Sequence, residues 1–287
     1  MEGSTLGVTK PVTWLLFFWP WVVVGILWSL AGVQGGQLDF EVPKLALVPW
    51  LESRFTYLLL HLFTIVPVFL LSFDRKVHYY TRWRHLVPAT LVVGILFIAW
   101  DAFFSYTGVW GFNKEYLTGG SLLRLPWEEW MFFVTVPFGS LFVYECLNAY
   151  FPGDPLRGLD KPITLGLAFG LLAIGAVYFE KMYTSTTFVL AGGFMLFHFF
   201  TIPNTYRTLF YRAFIVILVP FLIIKGVLTG GLTARPVVVY NPDEFIGLRL
   251  VSIPLEDAVF GFLNLFGILS LYFWFIEKGQ TKAKINN

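Results

Sequence analysis

Eight apolar stretches follow one another along the chain with only short polar breaks, at residues 12–33, 57–73, 86–106, 126–150, 162–179, 185–203, 212–230 and 253–276. Each is close to the roughly 20 residues a helix needs to cross a bilayer. In hydrocarbon every backbone N–H and C=O must be satisfied within its own segment, so such runs fold as helices. The expected fold is an all-α polytopic membrane protein with seven or eight transmembrane helices; the run at 12–33 is the one whose place in the functional core is open. Composition agrees, with 57% hydrophobic residues against the roughly 45–50% of ordinary soluble domains.

Lys10 precedes the first run and no small-residue cleavage site follows it, so that run is read as a retained span. Twelve Lys and Arg on the side of the termini face seven on the other. The positive-inside rule then predicts a multi-pass protein of the cell inner membrane with both termini cytoplasmic. The net charge of +2 is not gathered into a basic stripe, which excludes nucleic acid as a partner. Cys146 is the sole cysteine, so neither an internal disulfide nor a cysteine-rich metal site is available.

A shift of 128 residues superposes Asn113 on Asn241, Glu115 on Asp243, Gly119 on Gly247, Pro126 on Pro254, Glu128 on Glu256, Glu129 on Asp257 and Phe132 on Phe260. The chain therefore carries an internal repeat. The expected segments are an N-terminal helix and loop (1–56), a first repeat (57–150), a linking transmembrane helix (151–184), a second repeat (185–278) and a polar tail (279–287). Pairing the run at 12–33 with that at 162–179 gives four spans per half, an even number, and hence parallel repeats about an axis along the membrane normal. Both copies of the acidic motif then lie at one depth and face each other.

Proline followed by acids is an ordinary helix start, because proline suits the first turn and carboxylates complement the positive end of the helix dipole. Two copies in register, set among Trp127, Trp130, Phe132 and Phe133 in one half and Phe260 and Phe262 in the other, suggest more. Ionisable groups at membrane depth are costly and by default mark function. Facing acids in an apolar setting can share a proton, and the one that holds it is a proton donor.

Other polar residues keep two readings each. Asp101 either orients a catalytic acid or sits at the interface. Arg124 and Arg249 pair with motif acids or face headgroups, and Asn113 and Asn241 cap the chain or touch substrate. Lys225 invites comparison with a Schiff-base lysine, but its place near the end of its span favours a side chain that snorkels to the interface. The four histidines lack HxxH spacing, and neither Gly-x-Gly-x-x-Gly nor Asp-Asp-x-x-Asp occurs. No metal and no cofactor are therefore expected. Acid/base chemistry on an alkene remains, with aromatic rings, 20% of the chain, available to stabilise a carbocation.

Trp100-Asp101, Gly108-Val-Trp-Gly-Phe-Asn113, Leu125-Pro-Trp-Glu-Glu129 and Phe132-Phe133, followed by Tyr240-Asn241, Glu244, Gly247, Arg249 and Ile253-Pro-Leu-Glu-Asp257, resemble the integral-membrane lycopene β-cyclase family in its fused form. The resemblance covers roughly residues 57–278; the run at 12–33 goes beyond the smallest members. It implies an intramolecular lyase acting on lycopene within the bilayer, closing ψ ends into β rings by way of γ-carotene to β-carotene without net redox change. Carried over, Glu128, Glu129, Glu256 and Asp257 are the acid and base candidates, Glu128 and Glu256 first among them. Asp101, Asn113, Asn241, Glu244 and Arg249 are the supporting candidates. The rival readings are another carotenoid end-group enzyme (a monocyclase or hydratase), a proton-coupled transporter, and a non-catalytic carotenoid or retinal binder using Lys225.

Overall fold

Seven of the apolar runs fall within residues 37–285, which the computed structural model describes, with side chains to residue 280; the run at 12–33 lies outside them. Each of the seven forms one helix: α1 Thr56–Leu71, α2 Trp83–Thr107, α3 Trp127–Tyr150, α4 Asp160–Val177, α5 Met182–Thr201, α6 Arg207–Leu228 and α7 Leu255–Ile285. Six are long and apolar enough to span a bilayer, and α1 is a shorter apolar helix. Leu59, Phe63, Ile95, Phe169, Ile215 and Val219 are among the large apolar side chains left on the outside, as expected where the solvent is lipid.

The repeat is visible element by element. The short strands β1 Trp110–Phe112, β2 Ser121–Leu122 and β3 Leu125–Pro126 recur as β4 Val238–Tyr240, β5 Arg249–Leu250 and β6 Ile253–Pro254, each 128 residues later. Between β2 and β3 the chain reverses through Leu123 and Arg124, both at positive φ, the left-handed geometry of a two-residue hairpin. That hairpin delivers Pro126, at φ −65°, as the cap of α3, so the two acids enter the first helical turn.

Strands β1 and β4 pair antiparallel, Trp110 opposite Tyr240, Gly111 opposite Val239 and Phe112 opposite Val238. Gly111 and Val239 are repeat equivalents, so the pseudo-twofold axis passes between them. An antiparallel ladder across its own axis is what two parallel repeats produce. The helices interlock by the same symmetry, with α2 against α7 and α6 against α3, while α1 packs on α3 and α5 on α7.

Among the described residues each repeat has three helices, and α4 reverses the chain once so that the second repeat starts in the same direction as the first; the expected partner of α4, the run at 12–33, lies outside the described residues. Helix α4 packs chiefly on α5. The two come together at glycines: a Cβ on Gly175 would lie 2.8 Å from Val189, and one on Gly192 would lie 2.7 Å from the Ala168 carbonyl oxygen. At the far end of α4, buried Arg207 grips Asp160 at 2.7 and 2.5 Å and donates to His198 Nδ1.

Candidate active site

The motif acids divide into an outer and an inner pair. Glu128 Oε1 accepts from the Thr118 backbone N–H at 2.8 Å and from its hydroxyl at 2.7 Å. Glu256 Oε1 does the same with the Ile246 N–H at 2.9 Å and the Thr184 hydroxyl at 2.6 Å. Thr118 and Ile246 are repeat equivalents. A side chain in the first helical turn that reaches back to the incoming backbone is the physics of a cap, here extended over ten residues. Each of these buried carboxyls also has a second oxygen, Oε2, with no hydrogen-bond partner.

The inner pair, Glu129 and Asp257, turns toward the molecular centre. Glu129 Oε2 accepts from the Tyr57 hydroxyl at 2.6 Å. Asp257 accepts from Tyr183 at 2.6 Å and from Tyr240 at 2.9 Å on both oxygens, and it is paired with Lys225 Nζ at 3.0 Å. Lys225 therefore does not snorkel. Its ammonium reaches inward because an anion buried to 1% exposure is the better partner there, and it also lies 5.4 Å from the Phe132 ring centre. Burial, and then the charge of Asp257, push the Tyr240 hydroxyl well above the usual tyrosine range, so it remains a donor.

Glu129, Lys225, Tyr183 and Tyr240 share a cavity with Asp101, Trp110, Phe133 and Phe260. Asp101 is buried, and its Oδ2 has no hydrogen-bond partner. The rings pack on one another as well as on the cavity: Phe260 lies 5.0 Å from both Phe97 and Trp100, and Trp110 lies 5.1 Å from Tyr183.

Of the supporting residues, Asn113 and Asn241 accept from the backbone N–H of Glu115 and Asp243 and so cap equivalent short turns. Glu244 accepts from the Met182 N–H at 2.9 Å, at the start of α5. Arg249 donates to the Ser252 carbonyl at 2.6 Å and lies over the Phe245 ring. These residues hold the loops that shape the cavity. Tyr57 and Tyr183 were not singled out in the sequence, because the 128-residue shift sets Tyr57 against Ser185. Their available signal is another one: each is the second residue of the first helix of its repeat.

The symmetry breaks at the cavity. Lys225 stands where the first repeat has Phe97, and Asp101 where the second has Thr229. One half contributes two carboxyls and the other an ion pair, and both meet in a single centre.

Fold and site together define an internally duplicated helical membrane protein with a buried acid–base cluster walled by aromatic rings. The sequence matches the lycopene cyclase family model over residues 54–147 and 180–275, one segment in each repeat, and the chain belongs to that family. A curated relative, the bifunctional lycopene cyclase/phytoene synthase of Arthroderma gypseum, is 25% identical over 148 residues. The aligned stretch covers 48% of this chain and 25% of the relative, so the chain spans about a quarter of that protein's length. No solved structure matches.

Proposed function

We propose that the protein is a carotenoid β-cyclase that closes the linear ψ ends of lycopene, with Glu129 as the acid and Asp257 as the base. The observation that carries this reading is the charge balance of the buried cluster. Asp101, Glu129 and Asp257 face one ammonium, that of Lys225, among the described residues. An uncompensated charge in an apolar interior is avoided by taking up a proton. Asp257, held by Lys225 and two tyrosines, is the carboxylate; Asp101 and Glu129 are left without a cation, and of these Glu129, set by the Tyr57 hydroxyl at the start of α3, is assigned the proton that is donated.

In the reaction Glu129 gives its proton to C2 of the terminal alkene, leaving a tertiary cation at C1. The C5–C6 double bond attacks C1, closing the six-membered ring and moving the cation to C5. Loss of the C6 proton restores the C5–C6 double bond. That proton passes to the Tyr240 oxygen as the tyrosine gives its own to Asp257. Glu129 then recovers the proton within the cluster, and Lys225 balances whichever carboxylate bears the charge. The product is an isomer of the substrate, with no net redox change. The rings of Trp110, Phe133 and Phe260 stabilise the cation and exclude water. Glu128 and Glu256 fix the hairpins that aim the inner acids.

Expression in a lycopene-accumulating bacterium, followed by chromatography of the pigments, tests this. Monocyclic and bicyclic carotenes are expected at the expense of lycopene. Unchanged lycopene, with the protein confirmed in the membrane, would sink the proposal.

A further inference from the structure

Outside the acid cluster, a second hollow bears on how a polyene would reach it. Helices α1, α3 and α6 enclose an apolar groove lined by Phe63, Pro67, Phe132, Ser140, Pro220 and Ile224, among others. Its cavity volume is about 240 Å³, narrower than the roughly 300–1,000 Å³ of sites for compact ligands. Phe132 belongs to both the groove and the acid cavity, and Ile224 in the groove wall is followed directly by Lys225 in the cavity wall. The groove therefore lies against the site, with Phe132 as the shared wall.

The groove exists where the two repeats diverge. Each of its three helices has an internal proline, Pro67, Pro137 and Pro220, and their repeat equivalents are Met195, Leu265 and Val92. Proline removes an intrahelical hydrogen bond and crowds the preceding turn, so helices bend or part there. In the twofold-related trio α5, α7 and α2 the one internal proline is Pro88, near the start of α2, and buried Asn264 replaces Val136 of the groove wall. Another large hollow, between α4, α5, α6 and α7, shares no lining residue with the acid cavity.

The geometry points to the α1–α3–α6 groove as the binding site for the linear polyene chain that trails from the end group in the cavity. This rests on the cyclase reading. A long conjugated hydrocarbon offers nothing to hydrogen-bond, and the groove asks for nothing. Its contact with the acid cavity at Phe132 favours the polyene over a lipid acyl chain as occupant. Because the groove reaches the cluster from one side, one end group reacts per binding event, and a second ring requires release and reversal of the substrate.

The test uses the full chain with Cys146→Ser, carrying either Val136→Cys in the groove or Leu167→Cys in the separate hollow. Each protein is folded in membranes, labelled with N-phenylmaleimide and then offered lycopene. Retained polyene is read from its visible absorbance per protein, and cyclised product by chromatography. Labelling after folding removes misfolding as an explanation. The expected result is a roughly tenfold loss of retained polyene on labelling Val136→Cys, equivalent to about 1.4 kcal/mol, and no change on labelling Leu167→Cys. Equal retention in both labelled proteins would overturn the assignment even if rings are still formed. Retention through the groove with no ring formed at all would uphold the groove and reject the cyclase reading.

Discussion

Replacing Lys225 with methionine tests the assignment of acid and base most directly. At 3.0 Å the Lys225–Asp257 attraction is about 5 kcal/mol with an effective dielectric constant near 20. Removing one partner of a buried pair costs about 3–5 kcal/mol, because the other charge is left uncompensated. Two tyrosine hydroxyls remain on Asp257 and soften the loss, so the lower end of the range is expected. Asp257 then escapes the penalty by taking up a proton and can no longer accept one. A lost general base typically lowers turnover about 10²–10⁴-fold. The assay follows lycopene consumption in isolated membranes, normalised to inserted protein, with kcat and KM separated. Lys225→Met should lower kcat by about 10²-fold with little change in KM. Lys225→Arg, which keeps the charge, should recover part of it. Combining Lys225→Met with Asp257→Asn should cost little more than either alone, the signature of coupled residues. Turnover of Lys225→Met within about twofold of the parent, roughly 0.4 kcal/mol, would refute the argument and leave Lys225 as packing.

Glu129→Gln should abolish ring formation with the protein still inserted, whereas Glu128→Met should mainly lower thermal stability, by about 1–3 kcal/mol for the Thr118 N–H left unsatisfied; the reverse pattern would exchange their roles. Tyr240→Phe removes the proposed relay hydroxyl and should reduce kcat while the protein still retains lycopene, as read from bound absorbance. Turnover in deuterated water should place one deuterium at ring carbon C2, detectable by mass spectrometry, and its absence would exclude protonation there. Burial, and then the hydrogen bond to Glu52, push the Tyr116 hydroxyl up to about 12. A raised folded value means that the stabilising contact is fully present below about pH 10 and is lost as pH climbs toward 12. Thermal melts across that window should fall, and Tyr116→Phe should flatten them.

Helices and repeat were legible because both are written in one dimension: apolar run length for the spans, and a constant offset for the duplication. The offset even carried through the capping Asn113 and Asn241. The division of labour within each acidic pair was not legible. Adjacent residues on a helix point about 100° apart, and only the position of the hairpin shows that Glu128 faces Thr118 while Glu129 faces Tyr57. The sequence favours Glu128 and Glu256 because they share one chemistry across the repeats, whereas the cavity of Asp101, Glu129 and Lys225 lies where the repeats differ. Lys225 was misread for a related reason. Its distance from a helix end is visible in the sequence, but the anion that draws it inward comes from α7.

The ladder in which Gly111 faces Val239 is the contact that two identical copies of the repeat would make across a true twofold axis. In a homodimer any mutation appears twice, so a lysine at position 225 would come with a second lysine in place of Phe97, and Asp101 with a second aspartate in place of Thr229. Two equal centres with like charges facing across the axis would result. Duplication lets each half mutate alone, and α4 keeps the diverged halves in one chain with the same direction through the bilayer. A pseudo-symmetric scaffold can thus hold two carboxyls on one side and an ion pair on the other.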